Sequence, residues 1–209
     1  MSSADVSPRA PGDEALIASN RRGGKEAFGE LVALHEDRVY GLAYRLTGNR
    51  DDAAEVAQEA FLKAWRAFGS FRGDSSFYTW LFRITVNTAR SRQRFRAVRP
   101  NEISLDAVPV DNEDDRQSLS RRLAADGEDP VDAVARDEHR KLVEQAIGRL
   151  NRDQRMLIVL RDIEGRNYKE ISDLLDCPRG TVKSRLHRAR MALRDLLAPM
   201  FGGSLSVIE

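Results

Sequence analysis

The chain has 209 residues, enough for one large or two small hydrophobic cores. Its 34 Lys and Arg almost cancel its 33 Asp and Glu, so the net charge of +1 by itself selects no class of partner. One cysteine excludes an internal disulfide. No Cys/His cluster has zinc spacing, no apolar run is long enough to span a bilayer, and the N-terminus lacks the apolar core of a signal peptide. The expectation is a cytoplasmic protein without metal or cofactor.

The placement of charge is more informative than its sum. Residues 83–99 carry Arg83, Arg90, Arg92, Arg94, Arg96 and Arg99 with no acid, whereas residues 101–139 carry twelve acids against four arginines. Two basic surfaces therefore flank an acidic connector.

In chain order, residues 1–12 are small and polar and read as a disordered tail. A short helix is expected from Asp13 to Ser19. Phe28, Leu31, Val32, Val39, Leu42, Ala43 and Leu46 then form an amphipathic stripe that Gly48 and Asn49 stop. Asp51 and Asp52 favour a new helix start. Ala53, Ala57, Ala60, Phe61, Ala64, Trp65 and Phe68 are assigned to its buried face, which leaves Asp52, Glu55, Gln58, Glu59 and Lys63 for solvent or a partner.

A loop follows over residues 70–74, with Ser75 or Ser76 as cap of the next helix. That helix places Phe77, Trp80, Leu81, Ile84 and Thr88 at helical spacing, with Arg83, Asn87, Arg90 and Arg94 on a second, polar face. Aromatic rings beside cations suit single-stranded nucleic acid, which needs faces to stack on and charge for its backbone. Core packing is the competing explanation of the same aromatics.

Residues 101–130 lack periodicity and read as a flexible acidic linker. A helical pattern resumes at Val131. Asn151 with Gln154 suggests a capping box, and Gly165 a helix C-terminus.

Residues 168–197 then read as two helices across the turn Asp176-Cys177-Pro178, with Pro178 expected in the first turn of the second helix. Val182, Leu186, Ala189, Leu193, Leu196 and Leu197 make the apolar stripe. Arg179, Lys183, Arg185, Arg188, Arg190 and Arg194 lie largely outside it, and no acid falls between Arg179 and Arg194. A helix-turn-helix with a cationic second helix suits the major groove of DNA. No strand-like alternation appears, so the fold class is all-α: two small helical domains joined by a flexible acidic linker, the C-terminal one carrying the helix-turn-helix.

The run RDDAAEVAQEAFLKAWRAFGSFRGDSSFYTWLFRITVNTARSRQR, followed by an acidic stretch and DCPRGTVKSRLHRAR, resembles the extracytoplasmic-function sigma factors, the small two-domain branch of the bacterial sigma-factor superfamily. The resemblance covers roughly residues 25–197. It implies a chain that binds core RNA polymerase, directs it to promoter DNA and helps open the duplex. By position it implies core-polymerase contacts at Asp52, Glu55, Gln58, Glu59 and Phe61, and capture of an upstream-ten base by the loop of Phe71, Arg72, Ser75 and Ser76. Trp80, Arg83, Asn87 and Arg90 lie on the adjoining helix. Upstream-thirty-five recognition falls to Arg179, Thr181, Lys183, Ser184, Arg185, His187 and Arg188.

The implied domains are a tail and short helix over 1–24, sigma domain two over 25–99, the linker over 100–130, sigma domain four over 131–198 and a tail over 199–209. The resemblance also implies an anti-sigma partner, one that often holds such proteins at the inner membrane. An ordinary helix-turn-helix regulator is the alternative, but it leaves the aromatic and basic helix without a role. Enzyme activity is not expected. His35, His139 and His187 are scattered and no nucleophile motif or phosphate loop appears, so neither a catalytic residue nor a small-molecule substrate is assigned.

Overall fold

The computed structural model describes residues 13–21, 26–98 and 130–199. Among them all regular elements are helical: α1 (Asp13–Arg21), α2 (Glu26–Thr47), α3 (Arg50–Ala67), α4 (Phe77–Val98), α5 (Pro130–Arg149), α6 (Arg152–Ile158), α7 (Tyr168–Leu175) and α8 (Arg179–Leu197). The expected linker and both tails lie outside the described residues except for Pro130, which opens α5, and Pro199.

Local chemistry sets the helix ends. Asn49 stops α2 and also caps α3, its side chain accepting from the Asp52 N–H at 3.0 Å. Ser76 caps α4 by accepting from the Thr79 N–H at 3.1 Å. The expected capping box of Asn151 and Gln154 forms at α6, and a second one forms at α7, where Asn167 and Glu170 satisfy each other's backbone N–H groups. That second box was readable as the same Asn-x-x-acid/amide spacing. A π-helical turn over Val159–Ile163 extends α6 and has no sequence signal that we recognise. Gly165, with φ of +68°, ends that segment as expected.

Helices α2, α3 and α4 pack on one another. One apolar cluster holds Phe28, Leu31, Val39, Ala57, Ala60, Ala64, Phe68, Phe71, Phe77 and Leu81. Helix α1 is tied to α2 by a buried pair, His35 Nε2 lying 3.1 Å from Asp13 Oδ1.

The second cluster was not expected. It joins Leu42, Leu46, Val56, Tyr78, Phe82, Val86 and Ala89 of the first half to Ile147, Leu150, Met156, Ile171, Leu174, Val182 and Leu186 of the second. The two helical halves therefore meet through a shared apolar cluster. At their junction Arg155 is buried, with no carboxylate paired to it among the described residues. It donates to the carbonyls of Ile147 (3.1 Å) and Leu150 (3.2 Å), and also to Gly148 and Thr47. Burial first, and the neighbouring Arg152 second, lower its pKa from the ordinary guanidinium value. The cation serves the C-terminal ends of α5 and α2, where helix dipoles favour positive charge.

Gly48 makes this approach possible. It sits at φ +70°, and a Cβ added there would meet the Arg155 guanidinium. Gly165 has a similar φ of +68° but nothing within 4 Å of its hypothetical Cβ. We expect Gly165→Ala to cost only the backbone penalty, about 1–2 kcal/mol, and Gly48→Ala to cost distinctly more. Urea unfolding of the two variants, followed by circular dichroism, checks this, and equal losses would refute the packing role of Gly48.

Candidate nucleic-acid interface

The turn before α8 is built locally. Asp176 adopts a left-handed conformation at φ 49°, and Ser172 Oγ donates to the Cys177 carbonyl at 2.6 Å. Pro178 stands at the N-cap in extended conformation, one residue earlier than the expected first turn. Val182, Leu186, Ala189 and Leu197 are buried, which turns Lys183, Ser184, Arg185, His187 and Arg188 to solvent together with Arg179, while Thr181 is half-buried. Two further cations of the helix, though exposed, are paired within the chain. Arg190 forms a two-point pair with Asp162, at 3.1 Å and 2.5 Å, and this hydrogen bonding raises its pKa. Arg194 pairs with Asp195 at 3.2 Å.

In the first half, Phe68, Phe71, Phe77 and Trp80 form one aromatic group, with Phe71 5.1 Å and Phe77 5.8 Å from Trp80. Phe77 and Phe82 are core residues, and Phe71 is 5% exposed, so Phe71 lines the loop from behind and offers no ring for contact. Ser76 is likewise buried, bonded to Thr79 at 2.9 Å. Both residues expected at the contact are thus buried, because the loop closes over the aromatic cluster. Arg72 and Asp74 are exposed, Ser75 and Trp80 half-buried. Arg83, Asn87 and Arg94 stand exposed on one side of α4. Arg90 shares that side but is half-buried, donating to the Leu174 carbonyl of α7 at 3.3 Å.

The acidic ridge of α3 was expected to be free, and it is not. Asp52 is 8% exposed and accepts from Arg92 Nε at 3.0 Å, and Arg92 also pairs with Glu55. Partial burial opposes protonation of Arg92, but the hydrogen bond to Asp52 and the charges of Glu55 and Asp52 outweigh it and raise its pKa. Glu59 pairs with Lys63 at 2.8 Å, and Lys63 also donates to Thr88 of α4 at 3.2 Å. One edge of α3 is thus neutralised from within the chain.

The opposite edge is open. With α2 it forms a groove of about 610 Å3 lined by Val32, Tyr40, Ala57, Gln58, Phe61 and Trp65, with Glu36 and Asp37 also contributing. Trp65, assigned from its spacing to the buried face, is 40% exposed there, its ring centroid 4.9 Å from that of Phe28 in an edge-to-face contact. Neighbouring Leu62 is 49% exposed. The structure therefore separates Gln58 and Phe61, which meet in the groove, from Asp52, Glu55 and Glu59 on the α4 side. The α2 wall was missed in the sequence, although Val32, Glu36 and Tyr40 recur at four-residue steps.

Comparison with known proteins follows the same division. Residues 31–98 match the Sigma-70 region 2 model and residues 140–193 the Sigma-70, region 4 model. The chain is 40% identical over 188 residues to the RNA polymerase sigma-H factor of Pseudomonas aeruginosa, covering 90% of this chain and 95% of that one. It is 38% identical, with the same coverage, to the ECF RNA polymerase sigma-E factor of Escherichia coli. A solved sigma factor RpoE of Bartonella quintana, in complex with the anti-sigma factor NepR, superposes with a TM-score of 0.55 at 26% identity over 81% of this chain and 96% of that one. With its two helical halves matching sigma regions 2 and 4 in order, the chain belongs to the extracytoplasmic-function family of RNA polymerase sigma factors, which direct core polymerase to specific promoters and initiate transcription.

Proposed function

We propose a division of the sigma-factor task among three surfaces. Residues 131–198 act as domain four, with α8 in the major groove of the upstream-thirty-five element. Lys183, Arg185 and Arg188 reach bases and phosphates, flanked by Arg179, Thr181, Ser184 and His187. Residues 25–99 act as domain two. There Trp80 supplies a stacking face, Arg83 and Arg94 take backbone phosphates, and Asn87 hydrogen-bonds a base edge of the upstream-ten element. A flipped base costs a few kcal/mol of unstacking, which these contacts and the Arg72–Ser75 loop rim offset. Residues 100–130 connect the two domains, between flanking segments 1–24 and 199–209.

Core polymerase docks on α3. The apolar groove with Gln58 and Phe61 is the primary seat, and Asp52, Glu55 and Glu59 join it only where their pairs with Arg92 and Lys63 open. The observation that carries this reading is the exposure of Arg83, Asn87 and Arg94 on a helix whose other side is sealed aromatic core, within the region 2 match. A simple helix-turn-helix regulator needs only α8 and leaves that surface idle. The protein performs no reaction of its own. It works in the cytoplasm, where an anti-sigma factor is the proposed restraint, as its Bartonella relative is bound by one, and we place that partner at the inner membrane. No described helix is long and apolar enough to cross a membrane.

Run-off transcription with core polymerase, with and without the protein, tests the reading as a whole, and three variants test its parts. Arg185→Ala should cost about 1–3 kcal/mol and relax preference at one upstream-thirty-five position if the side chain meets a base. A uniform loss across sequences would assign it to a phosphate instead. Asn87→Ala should change upstream-ten preference and reduce permanganate reactivity of unpaired thymines while leaving upstream-thirty-five binding intact. Phe61→Asp should abolish pull-down of core polymerase by a protein that stays helical by circular dichroism. Retention at wild-type affinity would move the docking site out of the groove. Reversing Glu55 is a poorer probe, because it would also place like charge against Arg92.

A further inference from the structure

The π-helical turn over Val159–Ile163 lies beside α8 without being part of its proposed DNA face. The Glu164 N–H closes it by donating to the Val159 carbonyl, five residues back, at 2.9 Å. A turn of this kind holds one residue more than an α-helical turn, and such insertions often mark functional sites. The extra residue displaces the side chains that follow by about 100° around the axis. Here they are also held from outside. Arg161 donates to the Arg166 carbonyl at 3.0 Å, and its guanidinium lies 5.1 Å over the Tyr168 ring. The next residue, Asp162, is turned to α8, where it accepts two hydrogen bonds from Arg190, at 3.1 Å and 2.5 Å.

Arg190 stands where one more phosphate contact would form. It follows Lys183 by seven residues, two helical turns, so the two share one flank of α8, and Arg179 stands on the same flank. The side chains of Arg190 and Asp162 are 49% and 33% accessible, so their pair contributes little to stability. What it changes is the charge offered to DNA. A guanidinium that meets a phosphate releases counterions and adds about 0.9 to the salt dependence of binding, whatever the sequence. A guanidinium whose fork is already closed on a carboxylate brings no net charge to the duplex, and the carboxylate itself repels phosphate.

We infer that Asp162 is a positioning residue: it holds Arg190 off the DNA and so limits the sequence-independent affinity of α8. The inference rests on the assignment of α8 to the major groove. The exposed Arg179, Lys183, Arg185 and Arg188 then carry the contact, and Arg190 is withheld from it. Base contacts specify and phosphate contacts only hold. A helix with one more free cation would stay longer on any duplex that it met, and the many competing non-specific sites of a genome would retain more of the protein.

Titration of the full-length protein against a short labelled duplex of mixed sequence, read by fluorescence anisotropy over a range of salt, tests this. Asp162→Asn should bind several-fold tighter than wild type at low salt and steepen the salt dependence by about 0.9. Asp162→Glu, which keeps a carboxylate for the pair, should behave as wild type. Asp162→Asn combined with Arg190→Gln removes both charges and should return the slope to the wild-type value. Asp153→Asn, in the first turn of α6, removes the same charge without touching the pair and should leave the slope unchanged. Circular dichroism establishes that each variant is helical. Where Asp162→Asn alone loses helicity, the double variant decides: a wild-type slope supports the restraint, and a slope shallower by about 0.9 shows that Arg190 already contacts phosphate and overturns it. An unchanged slope in a helical Asp162→Asn, or an equal rise in Asp153→Asn, also overturns it. If alanine at Lys183, Arg185 and Arg188 leaves duplex binding unchanged as well, the assignment of α8 to DNA falls with the inference. If those substitutions weaken binding while Asp162→Asn does nothing, only the restraint by Asp162 is lost.

Discussion

Helix α4 has to satisfy two solvents at once, and the rest of the molecule is arranged around that requirement. Phe77, Leu81, Phe82, Val86 and Ala89 must leave water, and they do so against α2, α3 and the second half of the chain. Once that face is fixed, the helical period leaves Arg83, Asn87 and Arg94 in water with no further design. The cationic strip is thus held rigid by an apolar core that it never enters. In the proposed role of gripping a flexible single strand the surface gains from that rigidity, since the ordering cost is met in folding and not in binding.

The same economy appears at α3, where one helix presents two unlike edges. Arg92 reaches from α4 to Asp52 and Glu55, and Lys63 links Glu59 to Thr88. These pairs fasten α3 to α4, and they also remove most of the charge that a basic partner would seek. What remains for docking is the apolar groove on the α2 side, with Phe61, Leu62 and Trp65 partly in water. A half-exposed Trp in a cleft is an unusual cost for a folded chain and a common anchor for a partner. Burial of apolar side chains, with Gln58 for orientation, is therefore a better account of the proposed polymerase contact than paired charges.

Arg155 shows how far one cation can organise backbone. Among the described residues it has no carboxylate partner, and it is held by carbonyls at the ends of α5 and α2 that converge where Gly48 leaves room. A buried charge is tolerable only when its donors are met. This one is met in part by the other half of the chain, so the junction is built into the fold and is more than contact between two surfaces.

Sequence alone determined what depends on neighbours in the chain. The helices followed from apolar spacing, their ends from Asn49, Ser76, Asn151 and Gly165, the helix-turn-helix from residues 168–197, and the family from two motif blocks. The exposure of Lys183, Arg185, Arg188, Arg83 and Asn87 was equally readable, because a helix that buries one stripe must show the other. What sequence could not decide were the contacts between residues far apart in the chain. Asp52 looked free because Arg92 lies 40 residues away, and Arg190 looked unanswered because Asp162 stands 28 residues before it. Trp65 fitted the buried stripe by period, but among the described residues α2 covers it only in part, through Phe28, and the burial of Phe71 and Ser76 was not readable because the loop's closure over the aromatic cluster is a tertiary event. The shared apolar cluster and the Arg45–Glu164 pair were decided by the tertiary structure alone. A periodic pattern tells which face of a helix will be buried, and only the packed chain tells against what.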